Sequence, residues 1–191
     1  LPEVEDIYPV GDHQTIDFDP GPAAETMEGK FRPGHFIGMS EVVYRLLRIT
    51  SPDSLFMGQK DFQQFSIIRK LITDFQMPIQ LVMCPTVREA NGLAMSSRNV
   101  RLSPEARDKA GVIFNILTSG KMLFEQKTPA KFVQDIALDA LRKVNFDPEY
   151  FEVVNGYTLE PVEHMEDAEQ IVACCAVKVE GVRLIDNMIW K

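Results

Sequence analysis

"SLFMGQKDFQQFSIIRKLITDFQMPIQLVMCP", residues 54–85, reads as strand, helix, strand. "SLFMG" is a short apolar run, and Phe65, Ile68, Leu71, Ile72 and Phe75 then recur at helical spacing behind Asp61, a residue type suited to capping a helix. "PIQLVMCP" supplies a second apolar run between prolines. Two strands joined by a helix of this length predict a right-handed parallel crossover, so residues 1 to about 86 are expected to form part of an open α/β sheet that lacks its beginning.

Working outward toward the amino end, a helix is expected from about Ser40. Its apolar positions Val42, Val43, Leu46, Leu47 and Ile49 follow helical spacing, and "TSPD" stops it because the residue before a proline avoids helical angles. Before it lie the turn-rich "DFDPGPAAETMEGKFRPGHFIG" and a short strand expected around "DIYPV". Toward the carboxyl end the pattern changes after Thr86. Ser103 and Pro104 form an N-cap and first-turn pair for a helix to about Glu125, and Thr128 with Pro129 starts another through "FVQDIALDALRKV". "EYFEVVN", "QIVACCAVKVE" and "VRLIDNMIW" are expected strands, the last two joined as a hairpin by Glu180-Gly181. The expectation is therefore two domains, 1–86 and 87–191, the second a small α+β unit with a three-stranded antiparallel sheet.

Composition narrows the partners. A net charge of −8 leaves no basic surplus for a nucleic acid backbone, and no apolar run is long enough to cross a bilayer. Cys84, Cys174 and Cys175 do not suggest a disulfide framework, since the adjacent pair would point to opposite faces of a strand, and this reads as a cytoplasmic chain. The chain opens on Leu1 with no signal-peptide pattern and reads as a fragment.

Three stretches carry chemistry. "GQKDFQQ", Gly58 to Gln64, lies where a strand's carboxyl end meets a helix's amino end, the edge at which open parallel sheets bind anions, and Lys60 adds a mobile positive charge. The plainer alternative is a solvated Lys60 with Asp61 and Gln64 as a capping box. "VREANGLAMSSRN", residues 87–99, places two hydroxyls, the Arg98 fork and an amide in one loop, suited to phosphate oxygens, although polar loops before helices are common. "EGKFRPGHFIG", residues 28–38, puts Arg32 and His35 on a loop shaped by glycine and proline. His13 and His164 lack metal-like companions, and no metal site is expected.

"EGKFRPGHFIGMSEVVYRLL", "SLFMGQKDFQQFSIIRKL", "PTVREANGLAMSSRNVRLS" and the closing "VRLIDNM" together resemble the pantoate-β-alanine ligase family from end to end. The resemblance implies a Rossmann-like nucleotidyl-transferase domain followed by a carboxy-terminal lid, and a homodimer. It also implies a two-step reaction. ATP, with Mg2+, adenylates pantoate and releases pyrophosphate, and β-alanine then attacks the adenylate to give pantothenate and AMP. By the same resemblance Gly58, Gln59, Lys60 and Asp61 contact ATP, with Lys60 on the phosphates and Asp61 near the ribose. Val87 supports the adenine through its backbone, while Met95, Ser96, Ser97 and Arg98 form a mobile signature that closes on the triphosphate. Lys60, Ser96, Ser97 and Arg98 are thereby the catalytic candidates, Gln64 a pantoate ligand, and Arg32 and His35 shape the pantoate and β-alanine side. The family's HIGH-type histidine motif and an upstream glutamine are not in these 191 residues, so the piece alone is expected to be inactive. Two other readings stay open: a non-catalytic nucleotide-binding or dimer-forming module, and another nucleotidyl transferase using CTP or charging tRNA.

Overall fold

In the computed structural model, which describes residues 2–9 and 15–191, the chain forms two compact units. One is built within residues 1–57 and 63–83, the other within 58–62 and 84–191.

The first unit opens with a single helical turn, α1 (Val4–Ile7), where a strand was expected around "DIYPV". The Glu3 backbone N–H donates to the Asp6 carboxylate at 2.8 Å, and this closes a capping turn that extended backbone could not make. Val10, the end of that stretch, and His13 lie outside the described residues. A second short helix, α2 (Glu28–Phe31), precedes α3 (His35–Thr50). The start of α3 is five residues earlier than the expected Ser40. Gly34 adopts the left-handed φ of 76° that reverses the chain at "RPG", so the helix can begin at once. It ends where expected, with Ser51 left-handed before Pro52.

Residues 54–85 have the expected order. β1 (Ser54–Gly58), α4 (Phe62–Asp74) and β2 (Gln80–Cys84) form a parallel strand pair with its crossover helix. Ile68 and Leu71 of α4 are fully buried and pack with Leu47 and Ile72, bordered by Tyr44, Phe75, Leu55 and Leu81. Instead of starting at a capping Asp61, α4 is led in by a 3-10 turn over Gln59–Asp61.

In the second unit the single helix expected from Pro104 to Glu125 is two, α5 (Pro104–Lys109) and α6 (Val112–Glu125). The Asn91 side-chain amide donates to the carbonyls of Arg107 and Asp108, both at 2.9 Å, and so intrudes on the backbone ladder. A Cβ at Gly111 would lie 2.2 Å from the Asn91 carbonyl oxygen, so only glycine fits the break. Helix α7 (Ala130–Lys143) follows, then β3 (Asp147–Asn155), β4 (Ile171–Val179) and β5 (Val182–Ile189) in an antiparallel sheet of that order. Glu180 and Gly181 both have positive φ, as a two-residue type I′ hairpin requires.

β4 is buried along almost its whole length, with Leu117, Phe124, Val133, Leu141 and Phe151 in the same core as its Ala173, Cys175 and Val177. Burial of this kind stabilises by roughly 1.5–3 kcal/mol per large aliphatic side chain. The register sets Asp186 of β5 opposite Cys175, and Asn187 opposite Cys174. Two polar residues therefore sit mid-strand against the most buried strand of the unit.

Candidate functional site

Those two residues organise the site. Asn187 is 2% exposed, and its side-chain amide nitrogen donates to the carbonyls of Gln59 and Lys60 at 2.9 and 2.8 Å. Its side-chain oxygen accepts from Gln59 Nε2 at 3.2 Å. The Gln59–Asp61 turn is thus held from β5, and the Lys60 ammonium lies 3.8 Å from the Asp61 carboxylate.

Asp186, 4% exposed, receives the Arg88 guanidinium in a two-pronged pair of 2.6 and 3.0 Å. Arg88 also donates to the Gly92 carbonyl at 3.0 Å and stacks over the Phe114 ring at 4.1 Å. Burial pushes the Asp186 carboxyl above its ordinary value, opposed by Arg88 and by the positive charge of Lys60.

The 87–99 segment folds back on itself. Met95 N–H donates to the Val87 carbonyl at 2.9 Å, and Arg88 and Ala94 form a bridge. Beyond it, Ser96 Oγ accepts from the Arg98 backbone N–H at 3.2 Å and caps the 3-10 turn Ser97–Arg101. Asn99, 1% exposed, donates to Glu89 at 2.7 Å and to the Ala94 carbonyl at 3.1 Å. Glu89 is gripped on its other side by Arg107 of α5 at 2.8 and 3.0 Å. Arg107 first, then Asn99, hold the Glu89 carboxyl below the usual carboxylate range.

Lys60, Ser96, Arg98, Asn99 and Asp186 line one narrow cavity of about 10 Å³, room for a single water molecule. The geometry thus brings together two of the three motif stretches. Around them, Gly58, Ser97 and Arg98 are exposed, as are Met95 and Val87 at 53% and 66%.

Arg32, His35 and Gln64 belong to the first unit. Arg32 is exposed, and burial and then the Arg32 charge lower the His35 pKa, against a raising effect of Glu28. Gln64 is half-buried on α4, while its neighbour Gln63 is buried and structural. The Gln63 amide binds the Ala23 and Thr26 carbonyls and the Glu28 N–H.

Arg88, Glu89, Asp186 and Asn187 lie in the site without a motif signature of their own in the sequence. The signal for the last two was the polar pair in the middle of the apolar strand "VRLIDNMIW".

The family model described as pantoate-β-alanine ligase matches residues 1–189. Curated pantothenate synthetases of Porphyromonas gingivalis and Bacteroides fragilis are 40% and 41% identical over the whole chain, which spans 67% of each of them. Among solved structures, pantothenate synthetase of Thermus thermophilus matches with a TM-score of 0.89 and 36% identity, covering 99% of this chain and 68% of that one. The ligase of Francisella tularensis, solved with a β-γ ATP compound and β-alanine, matches with a TM-score of 0.71 and 31% identity, over 97% of this chain and 62% of that one.

Proposed function

We propose, from the premise that this chain belongs to the pantoate-β-alanine ligase family, that it serves the ATP-dependent joining of pantoate to β-alanine. The pantoate carboxylate attacks the α-phosphorus of ATP, and pyrophosphate leaves with the electrons of the broken P–O bond. The β-alanine amine then attacks the acyl carbon, AMP leaves, and the surplus amine proton passes to solvent. The first step brings two anions together, so its barrier falls where fixed cations and N–H groups face the charge growing on the phosphates.

The observation that carries this reading is the sharing of one cavity by Lys60, Ser96 and Arg98. At about 10 Å³ the cavity holds no nucleotide, so the triphosphate lies across its mouth, with Lys60 on one side and the 96–98 turn on the other. Gly58, Gln59 and Asp61 complete the first side, with Asp61 toward the ribose. Val87, Met95 and Ser97 complete the second, with the Val87 backbone toward the adenine. Gln64 takes the pantoate, and Arg32 and His35 the acid and amine substrates. Among the described residues no three His, Cys, Asp or Glu side chains converge, and this donor set suits a magnesium ion carried on the triphosphate's own oxygens.

We further propose that the protein acts as a homodimer in the cytoplasm. The three free cysteines and the lack of any described helix able to cross a membrane agree with that compartment. Since the chain spans about two thirds of its curated relatives, the 191 residues alone are proposed not to turn over. Pantothenate formation by the 191-residue chain would overturn that part only.

The test is pantoate-dependent exchange of labelled pyrophosphate into ATP by the full gene product. Exchange that requires pantoate and is strongly reduced, though still measurable, in Lys60→Ala supports the reading. Absence of exchange, or exchange indifferent to pantoate, defeats it.

A further inference from the structure

We propose that Asn187 is a positioning residue for Lys60, and that the Asp186–Asn187 step of β5 fixes the spacing between the Lys60 turn and the 87–99 loop. The inference rests on the proposed role of Lys60 at the phosphates and goes beyond it in naming what holds that lysine in place.

Three observations carry it. First, nearly all the bonding capacity of the Asn187 amide is spent on one turn. Both of its N–H donors go to successive carbonyls, Gln59 and Lys60, from 128 and 127 residues away, and its oxygen takes the Gln59 side chain. Two carbonyl acceptors also fix which way the amide faces, since only its nitrogen can donate to them.

Second, the other wall of the cavity is tied to the same dipeptide. The Asn187 backbone N–H donates to the Asp186 carboxylate at 2.8 Å, that carboxylate holds Arg88 two-pronged, and Arg88 reaches back to the Asn187 carbonyl at 3.4 Å. Arg88 is the residue after Val87 and bridges to Ala94, directly before Met95 and Ser96. A shift of Asn187 or Asp186 therefore alters the gap between Lys60 and the 96–98 turn.

Third, the position is chemically costly for a sheet that needs only packing. An apolar pair opposite Cys174 and Cys175 would bury well, whereas a carboxylate and an amide there must be fully partnered to be tolerated. What the polar pair adds is registration of a motif turn on a rigid strand, and a displacement of about 1 Å at such a site can cost on the order of 100-fold in rate.

The test is a kinetic double-mutant cycle in the full gene product, reading pantoate-dependent pyrophosphate exchange in wild type, Lys60→Ala, Asn187→Ala and the double variant. Asn187→Ala is expected to lower kcat/KM for ATP by ~10–100-fold. In the Lys60→Ala background it should cost less than about threefold, because its effect runs through Lys60. Asn187→Ser, which keeps one donor, should fall between the two. If Asn187→Ala does not fold, the same cycle is run with Asn187→Ser. Equal losses from the Asn187 variant with and without Lys60 would mean general damage to the fold, and no loss in either would mean no role. Both results overturn the inference. A wild type without exchange, or Lys60→Ala with undiminished exchange, would instead count against the function proposed above.

Discussion

The Gly58–Asp61 turn and the 87–99 loop reach the same cavity but are held in different ways. Among the described residues, Asn187 ties the turn to β5 through three side-chain hydrogen bonds. The loop is largely self-supporting. Asn99 ties it to Glu89 and Ala94, Met95 to Val87, and Ser96 to Arg98, with Arg107 and the Arg88–Asp186 pair as outside moorings. A turn between β1 and α4 whose distant side-chain bonds all come from Asn187 shifts when that residue does. A loop with many short internal bonds can keep its own shape while moving as a body about its moorings, so loss of one bond should affect it by degrees.

The largest break in this contrast is expected from Arg88→Ala. It strands a buried Asp186 carboxylate and unties the loop from β5, and removal of one partner from such a pair costs about 3–5 kcal/mol. Urea unfolding measures it, and a cost under about 1 kcal/mol would show that the loop's own bonds suffice. Because burial raises the Asp186 pKa above its unfolded value, stability from this group is highest below the ordinary carboxylate range and falls as pH rises through the raised value. The Arg88 variant should steepen that fall.

Asn99→Ala should have a smaller effect, about 1–2 kcal/mol, since it leaves the Ala94 carbonyl and one Glu89 oxygen short of a donor while Arg107 remains. A loss as large as that of Arg88→Ala would mean that the loop depends on one residue.

The smallest effect is the acid response of Glu89. Its folded pKa is lowered, so the stability it lends is complete above the ordinary carboxylate range and is lost as pH falls through the lowered value. Amide exchange of residues 88–101 should accelerate in that window before exchange in β4 does. Arg107→Ala should move the acceleration toward neutral pH, and an unchanged profile in that variant would remove Glu89 from the loop's supports.

The legibility of the chain follows the same division between local and distant causes. β1, α4 and β2 were readable because their period is written within 32 consecutive residues, and the β4–β5 hairpin because Glu180-Gly181 is a local turn signal. The start of α3 depended on one left-handed glycine, and the break between α5 and α6 on an asparagine well before it in sequence, so neither showed in the helical pattern. At the cavity, Lys60, Ser96 and Arg98 belong to stretches that stand out in the sequence, a lysine at a strand–helix junction and a hydroxyl-rich loop. The roles of Arg88, Asp186 and Asn187 could not be read there, because their partners are about 100 or more residues away and only the fold brings them together.

Whether the two walls act on one triphosphate is decided most directly by a double-mutant cycle on ATP affinity, with Lys60→Ala, Arg98→Ala and the pair titrated calorimetrically in the full gene product. The account predicts coupling, with the double variant losing less than the sum of the single losses by about 0.5–3 kcal/mol. Losses that simply add, or a single variant that binds ATP as wild type does, would contradict it.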